Sequence, residues 1–201
     1  YTTFAREPTG IHATADARRR AHGGDTSGFV PVSVTHQVIG YLRRRLSGEV
    51  IDFVELDMPE YTLETMAAMY TIEPEVLEDI GIGPTRVAGS LHAAEHAAIG
   101  LLPLVASCDR GDIGGVSTAI GERGLPTVFV YDGHPGGAGF AERGFQRLGT
   151  WLSATAAAIR ACECDRGCPS CVQSPKCGSG NDPLDKDGAL RVLDCVLGKL
   201  A

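Results

Sequence analysis

Several features that would assign an activity directly are missing from this 201-residue sequence. It has no run of about 18 apolar residues, so we expect no part of it to span a membrane. It has no Gly-Lys-Ser/Thr loop to cradle nucleotide phosphates, no Asp-Glu-x-His box and no arginine-finger motif. We therefore expect the chain itself not to hydrolyse ATP.

Basic charge is also in short supply. The 18 Lys and Arg residues are outnumbered by 25 Asp and Glu residues, and the net charge is −7. A free-standing nucleic-acid-binding domain usually has a pI above about 9, whereas this chain has a pI near 5.3. Any DNA contact must then come from local features, of which Arg18–Arg20 and the triplet Arg43, Arg44 and Arg45 are candidates. A short basic run is more often a solvated surface.

The pattern of apolar residues predicts a mixed α/β (α+β) fold. At 43% hydrophobic, the chain can bury one sizeable core or two small ones. Residues 1–28 lack periodicity and are predicted to be a poorly ordered lead-in. Residues 29–83 are predicted to be β-rich, and residues 84–201 to form an α/β domain with a C-terminal structural zinc knot at 162–177.

Alternation and turn residues place the elements within these regions. Val30, Val32 and Val34 alternate with polar residues and predict a strand, which Ser47-Gly48 would connect to a second strand at 50–56 as a hairpin. Residues 62–72 fit either a third strand or a short helix. Helices are predicted at 73–81, 90–106 (capped by Ser90), 140–161 and 186–200, with a short strand after Gly115 and a buried strand at 127–131.

Five of the seven cysteines lie between Cys162 and Cys177, in a segment too polar to fold by burial. Four thiolates around a tetrahedral zinc ion would supply the missing stability. The favoured ligands are Cys164, Cys168, Cys171 and Cys177. Cys162 is the substitute, because chelation by both members of the C-x-C pair is expected to be strained.

Other interpretations of the cysteines are weaker. Disulfides need an oxidising compartment, and no secretory hydrophobic region opens the chain. An iron–sulfur cluster also uses cysteine thiolates, but the C-x3-C-x2-C triplet of radical enzymes follows a first barrel strand. Cys108 and Cys195, outside the cluster, are predicted to be thiols of the core.

A second pattern resembles a metal motif. His92-Ala93-Ala94-Glu95-His96 matches H-x-x-E-H, in which two histidines bind zinc and the glutamate is a general base. A catalytic zinc needs a third protein ligand, and no downstream acidic helix supplies one. The favoured interpretation is a polar helix face that packs on a neighbour.

A glycine-rich loop follows the predicted strand at 127–131. A strand, a glycine loop and a helix can present free amides to an anion, so Gly136, Gly137 and Gly139 are candidates for a phosphate-backbone contact. They match neither the dinucleotide fingerprint nor the Walker loop. Close packing is the simpler explanation.

Residues 162–187 closely resemble the cysteine signature of the MrfA/YprA/SftH-type superfamily-two DNA helicases, through Gly-Cys-Pro-Ser-Cys-Val-Gln-Ser-Pro-Lys-Cys-Gly and the following Pro-Leu-Asp-Lys. Residues 91–96 and 126–132 are similar to that family too. The resemblance implies a C-terminal zinc-binding module whose partners are motor domains of the same polypeptide, which bind ATP and Mg²⁺. It also implies 3′-to-5′ translocation on single-stranded DNA, a role in DNA repair, and a location in the bacterial cytoplasm with the nucleoid.

Two other functions remain open. One is a protein-interaction module whose zinc loop docks a repair protein. The other is a zinc hydrolase centred on His92, Glu95 and His96.

Overall fold

The computed structural model describes residues 2–13, 18–22 and 24–200. Within these ranges, seven strands form one antiparallel sheet. The strands are β1 (Thr2–Ala13), β2 (Arg18–His22), β3 (Asp25–Arg44), β4 (Val50–Glu55), β5 (Tyr61–Thr71), β6 (Ile113–Thr118) and β7 (Thr127–Asp132). No helix in the described part of the chain is long and apolar enough to cross a bilayer.

The 20-residue strand β3 organises the sheet. It pairs antiparallel with β1, β2, β4 and β5, and β5 pairs in turn with β7, which pairs with β6. The predicted hairpin is confirmed as β3–β4, and the segment that fitted either a strand or a helix is β5. Because β5 pairs with β7, the sheet continues across the boundary predicted at residues 83 and 84.

The predicted lead-in, residues 1–28, contains regular structure where it is described. Strands β1 and β2 and the start of β3 lie within it. Residues 1, 14–17 and 23 of the lead-in lie outside the described residues. Composition alone did not indicate these strands, because their regularity comes from pairing with β3.

The helices are α1 (Pro74–Asp79), α2 (Pro84–Leu101), α3 (Pro103–Ala106), α4 (Phe140–Gln146), α5 (Leu148–Ala161) and α6 (Lys186–Leu200). Helix α2 begins at Pro84 rather than at Ser90, because a proline fits the first helical position. Ser90 lies inside the helix, where its hydroxyl donates to the Arg86 carbonyl at 2.8 Å. The helix predicted at 140–161 is two helices, α4 and α5, because Arg147 has φ −113° and ψ 30°.

The helices pack on one face of the sheet and bury the larger core. Alternate residues of β7 divide between the two faces, so Val128 and Val130 face the helices while Phe129 and Tyr131 join a smaller cluster on the other side. Helix α2 lies at the centre of the helical layer, packed against α5, α6 and β6. This position places one side of α2 next to the cysteine segment.

Candidate metal centre

The cysteine segment connects the end of α5 to the start of α6 with turns rather than with regular structure. Gly167 has φ +112°, a conformation that glycine adopts without strain, and it allows the chain to reverse between the second and third cysteines. The backbone amides of Cys171 and Val172 then donate to the Cys168 carbonyl at 3.0 and 3.2 Å. These turns bring four thiols of the segment to one point.

The four thiols are those of Cys162, Cys164, Cys168 and Cys171, whose sulfur atoms all lie within 4.8 Å of one another. The sulfur–sulfur distances are 3.6 Å from Cys162 to Cys164 and 3.5 Å from Cys162 to Cys168. They are 3.5 Å from Cys164 to Cys171 and 3.8 Å from Cys168 to Cys171. Zn–S bonds of about 2.3 Å place tetrahedral ligands about 3.8 Å apart. The thiols therefore fit one tetrahedral zinc ion.

Groups around the sulfur atoms favour negative charge there. The Lys186 ammonium lies 3.4 Å from the Cys164 sulfur and also donates to the carbonyls of Cys162 and Cys164, at 2.6 and 2.5 Å. The Cys168 amide donates to the Cys171 sulfur at 3.3 Å. A backbone hydrogen bond from Ser170 lowers the pKa of the Cys168 thiol, while burial raises that of Cys171. Such outer partners orient metal ligands and tune the metal.

The expected ligand set of Cys164, Cys168, Cys171 and Cys177 is not brought together. Cys162 occupies the position expected for Cys177, so both members of the C-x-C pair reach the cluster. The cause is a turn after the cluster, in which the Ser174 amide donates to the side-chain oxygen of Asn181 at 2.7 Å. The Asn181 side-chain amide returns a bond to the Ser174 carbonyl at 3.0 Å. This turn directs Cys177 towards α2.

Cys177 lies with the two histidines of α2. Its sulfur is 3.4 Å from His92 Nε2, and ligand atoms of Cys177, His92 and His96 all lie within 4.8 Å of one another. The Asn181 amide donates to the same sulfur at 3.2 Å. Burial opposes ionisation, but the bonds from these groups and from Ser179 lower the pKa of the Cys177 thiol to about 4.

Each histidine also contacts the cysteine segment through its other ring nitrogen. His92 Nδ1 is 2.9 Å from the Pro183 carbonyl oxygen, and His96 Nδ1 is 2.9 Å from that of Val172. The favoured prediction of a polar helix face packed on a neighbour describes this arrangement. The sequence analysis did not find a third ligand beside the histidines. The signal available in the sequence was Cys177, the fifth cysteine of a cluster in which a tetrahedral site needs only four.

The glutamate of the H-x-x-E-H pattern faces the sheet. Glu95 is buried, and its carboxylate accepts a hydrogen bond from Ser117 on β6. Burial raises the pKa of this carboxyl group. A side chain at Gly115 would collide with Glu95, because a Cβ there would lie 2.6 Å from Oε1. The glutamate thus packs against β6.

The amides of the glycine loop are used within the protein. Asp132 is fully buried, and its carboxylate accepts from the amides of Ala138 at 2.6 Å, Gly139 at 2.8 Å and Ala141 at 2.8 Å. The Gly136 amide donates to the Glu64 carbonyl at 2.8 Å, and the Gly137 amide donates to the His134 carbonyl at 2.9 Å. None of the three glycine amides predicted as phosphate donors points to solvent unpaired.

The arginine triplets lie at the surface with partners of their own. Arg43 forms an exposed ion pair with Asp52, Arg44 donates to the Gly48 carbonyl at 3.1 Å, and Arg45 is 3.6 Å from a carboxylate oxygen of Glu49. All of these contacts lie within the β3–β4 hairpin, and exposed pairs of this kind contribute about 0–1 kcal/mol to stability.

The other triplet, on β2, contacts the edge of the core. Arg18 and Arg20 lie over the rings of Phe29 and Phe145, at 4.8 and 4.7 Å from the ring centroids. Arg19 is 2.7 Å from a carboxylate oxygen of Glu122. Arg18 also forms an exposed ion pair with Glu142. Both triplets therefore lie at the surface with partners within the protein.

The two remaining cysteines lie apart from both clusters. Cys108 and Cys195 are free thiols of intermediate exposure, and burial raises the pKa of each. Cys108 packs against the larger core.

Comparisons with known proteins agree with this geometry. The family described as the MrfA Zn-binding domain matches residues 94–172, a range that ends just after Cys171. An uncharacterised protein of Methanocaldococcus jannaschii is 37% identical over 111 residues, which are 53% of this chain and 99% of that protein. The ATP-dependent helicase YprA of Bacillus subtilis is 36% identical over 118 residues, which are 58% of this chain but 15% of YprA.

A solved structure extends the similarity to nearly the whole chain. The crystal structure of the DUF1998 helicase MrfA bound to DNA superposes with a TM-score of 0.64 at 26% identity. The match covers 98% of this chain and 25% of the MrfA chain. The chain thus spans a quarter or less of each helicase that it resembles. The family match, together with the 37% identical relative that the chain covers almost completely, shows that the chain belongs to the MrfA Zn-binding domain family.

Proposed function

We propose that this chain is the C-terminal accessory zinc-binding domain of an ATP-dependent DNA helicase of superfamily two. The observation that carries the proposal is the cluster of four thiols in a chain that resembles part of YprA and of MrfA. In the parent protein, ATP and Mg²⁺ would be bound by motor domains of the same polypeptide. The accessory domain would brace those motor domains and contact the DNA strand.

The zinc ion of this domain is structural, and its ligands are Cys162, Cys164, Cys168 and Cys171. A closed set of four thiolates supplies folding energy, on the order of 10–16 kcal/mol of apparent binding energy in small zinc modules. Here the ion would join the end of α5 to the segment before α6, which Lys186 also contacts. The ion would add to the attachments that the segment already has, namely the buried Val172 and the contacts of His92 and His96 with its carbonyls.

Zinc analysis of variants tests the ligand set. Cys168→Ser should lower the zinc content by about one ion per chain and cost several kcal/mol of unfolding free energy, since a ligand of a closed site is lost. Cys162→Ser should do the same, and Cys108→Ser, outside the cluster, should change neither quantity. Unchanged zinc and unchanged melting in Cys168→Ser would refute the assignment.

In the parent protein, the proposed activity is 3′-to-5′ translocation on single-stranded DNA during DNA repair in the bacterial cytoplasm. The proposed strand contact is the β3–β4 hairpin with Arg43, Arg44 and Arg45, two of which have more than half of their side chains exposed. Phosphate contacts by such side chains do not depend on sequence and weaken as salt rises.

A triple substitution in the full-length helicase tests this contact. Changing the three hairpin arginines to glutamine should reduce DNA affinity and DNA-stimulated ATP hydrolysis while leaving the melting temperature nearly unchanged. The charge-matched control changes three exposed arginines elsewhere, Arg123, Arg160 and Arg166, to glutamine. If both triple variants keep parental DNA affinity and hydrolysis, the hairpin is a solvated edge and the domain only braces the motor.

A protein-docking role is the second candidate, and exposed apolar side chains favour it. Around the hairpin, Leu46 is 98% exposed, Ile51 56% and Tyr61 59%. A surface of this kind suits contact with another protein or domain. Leu46→Ser with Ile51→Thr would lower ATP hydrolysis of the purified helicase if the surface meets the motor. Loss of binding to a repair protein, with normal hydrolysis, would instead support the docking module.

A further inference from the structure

We propose that His92, His96 and Cys177 form a second metal site, separate from the four-thiol cluster, that binds one zinc ion through two imidazole Nε2 atoms and one thiolate. Solvent would complete the tetrahedron. The first support is distance, because ligand atoms of the three residues lie within 4.8 Å of one another. Tetrahedral zinc with usual bond lengths separates a nitrogen ligand from a sulfur ligand by about 3.6 Å. His92 Nε2 and the Cys177 sulfur are 3.4 Å apart.

The second support is the way in which the imidazoles are held. His92 and His96 are four residues apart on α2, so they share one face of the helix. Each Nδ1 lies 2.9 Å from a backbone carbonyl oxygen, to which it can only donate. This places a proton on Nδ1, so that in the neutral ring the unprotonated nitrogen is Nε2, on the side of Cys177. Metal-binding histidines are oriented in the same way by outer carbonyl groups.

The third support is a count of protons. In neutral rings with these tautomers, both Nε2 atoms are acceptors, and the single sulfur carries at most one proton for the two of them. The sulfur already has the Asn181 amide as a donor at 3.2 Å, and the Ser179 hydroxyl lies 3.2 Å away. One cation placed among the three ligand atoms satisfies all of them at once. Soft thiolate and imidazole together are typical ligands of zinc.

The site lies only partly within the family's matched range, which includes His96. His92 and Cys177 both lie outside residues 94–172, whereas the four thiols lie inside. An ion here would attach the loop after the cysteine cluster to the centre of α2. The four-thiol site has no ligand on α2. Three protein ligands leave one coordination position open, so this ion should leave to a chelator before the one held by four thiolates.

Metal analysis of the purified protein tests the proposal. We expect two zinc ions per chain, of which a chelator removes one rapidly. Cys177→Ser and, independently, His92→Gln should each lower the content to one ion and abolish the rapid phase. His134→Gln, an exposed histidine paired with Asp112, is the matched control and should keep two ions.

The same measurement separates this site from the four-thiol site. Cys168→Ser should remove the slowly released ion and keep the rapidly released one. A wild-type content of one ion, lost in Cys168→Ser and retained in both Cys177→Ser and His92→Gln, would overturn the second site and leave the four-thiol assignment intact. Cobalt substitution adds a check that does not depend on stoichiometry, because in Cys168→Ser a thiolate-to-cobalt absorption should remain and should disappear when Cys177→Ser is added. Absence of that band in Cys168→Ser would also overturn the proposal.

Discussion

Replacing Asp132 with asparagine tests how the glycine loop is held. The Asp132 carboxylate is fully buried, with one oxygen accepting from the amides of Ala138 and Gly139 and the other from the Ala141 amide. Asparagine keeps one oxygen and replaces the other with an amide group that can only donate. At best it retains the two bonds on one oxygen, and it turns a donor towards the remaining N–H.

The size of the effect follows from this geometry. A hydrogen bond to a charged group contributes about 1.5–3 kcal/mol, and an unsatisfied buried donor costs about 1–3 kcal/mol. Asp132→Asn loses one of the three hydrogen bonds, and the two that remain are made to a neutral oxygen instead of a charged one. The expected destabilisation is about 2–4 kcal/mol. For a chain of this length, the melting temperature should fall by about 4–16 °C.

Urea unfolding, followed through the fluorescence of Trp151, the only tryptophan in the sequence, measures the change. Amide hydrogen exchange should accelerate selectively at Ala138, Gly139 and Ala141. Asp79→Asn makes the same chemical change at an exposed position of α1 and should alter stability by less than about 0.5 kcal/mol. Equal stability of the Asp132→Asn and Asp79→Asn proteins, with unchanged exchange in the loop, would show that the loop amides do not depend on the carboxylate.

Three further predictions concern the core, the zinc environment and acid stability. Trp151→Phe should cost about 2–3 kcal/mol in urea unfolding, because a buried side chain becomes smaller and its indole bond to an α2 carbonyl, 2.8 Å long, is lost. Lys186→Gln should weaken zinc binding about 10–100-fold in chelator competition, because its ammonium lies beside the Cys164 sulfur. Lys176→Gln should not, because the Lys176 ammonium donates to the carbonyls of Arg110 and Gly111. Burial raises the pKa of Asp185, but the hydrogen bond and the charge of the Arg86 guanidinium lower it by more, so this pKa lies below its usual 3.8. A carboxyl group whose pKa is lower in the folded state stabilises the protein at pH values above its unfolded-state pKa, and this stability is lost as the pH falls through the folded-state pKa. Arg86→Met should therefore flatten the decline of the urea midpoint below about pH 4. An unchanged decline would contradict this.

Elements with a strong local pattern were predictable from the sequence. The alternation at Val30, Val32 and Val34 and the turn at Ser47-Gly48 predicted the β3–β4 hairpin, and β7 was evident as a buried strand. These predictions succeed because period-two alternation and turn residues are local properties.

Elements that depend on distant partners were not predictable in the same way. Strands β1 and β2 have little pattern of their own, and their structure comes from pairing with β3. The start of α2 was missed because Pro84 and the preceding glycine act as a helix start, whereas Ser90 looked like a cap. The break at Arg147 lies between Gly144 and Gly149, and neither glycine is at the break itself, so its position was not indicated by local chemistry.

The metal centre shows the same limit more sharply. Spacing correctly indicated that four cysteines converge, but five were present and spacing could not choose among them. The choice depends on where the chain goes after Val172, and the Ser174–Asn181 turn sends Cys177 towards a helix about 80 residues earlier in the sequence. A geometric argument against the C-x-C pair was outweighed by that long-range packing.

Two features of the sequence were uncertain, the number of clustered cysteines and the H-x-x-E-H pattern, and the structure brings them together. The cysteine segment had one thiol more than a tetrahedral site requires, and the pattern at His92 and His96 had one ligand fewer than a zinc site requires. The fold pairs the surplus thiol, Cys177, with the incomplete histidine pair, since α2 lies beside the cysteine segment and both histidines bond to its carbonyls. A surplus in one motif and a deficit in another are each ambiguous alone. Their coincidence in space is evidence that neither is accidental, and it is why the zinc content of Cys177→Ser is the measurement that distinguishes one metal ion from two.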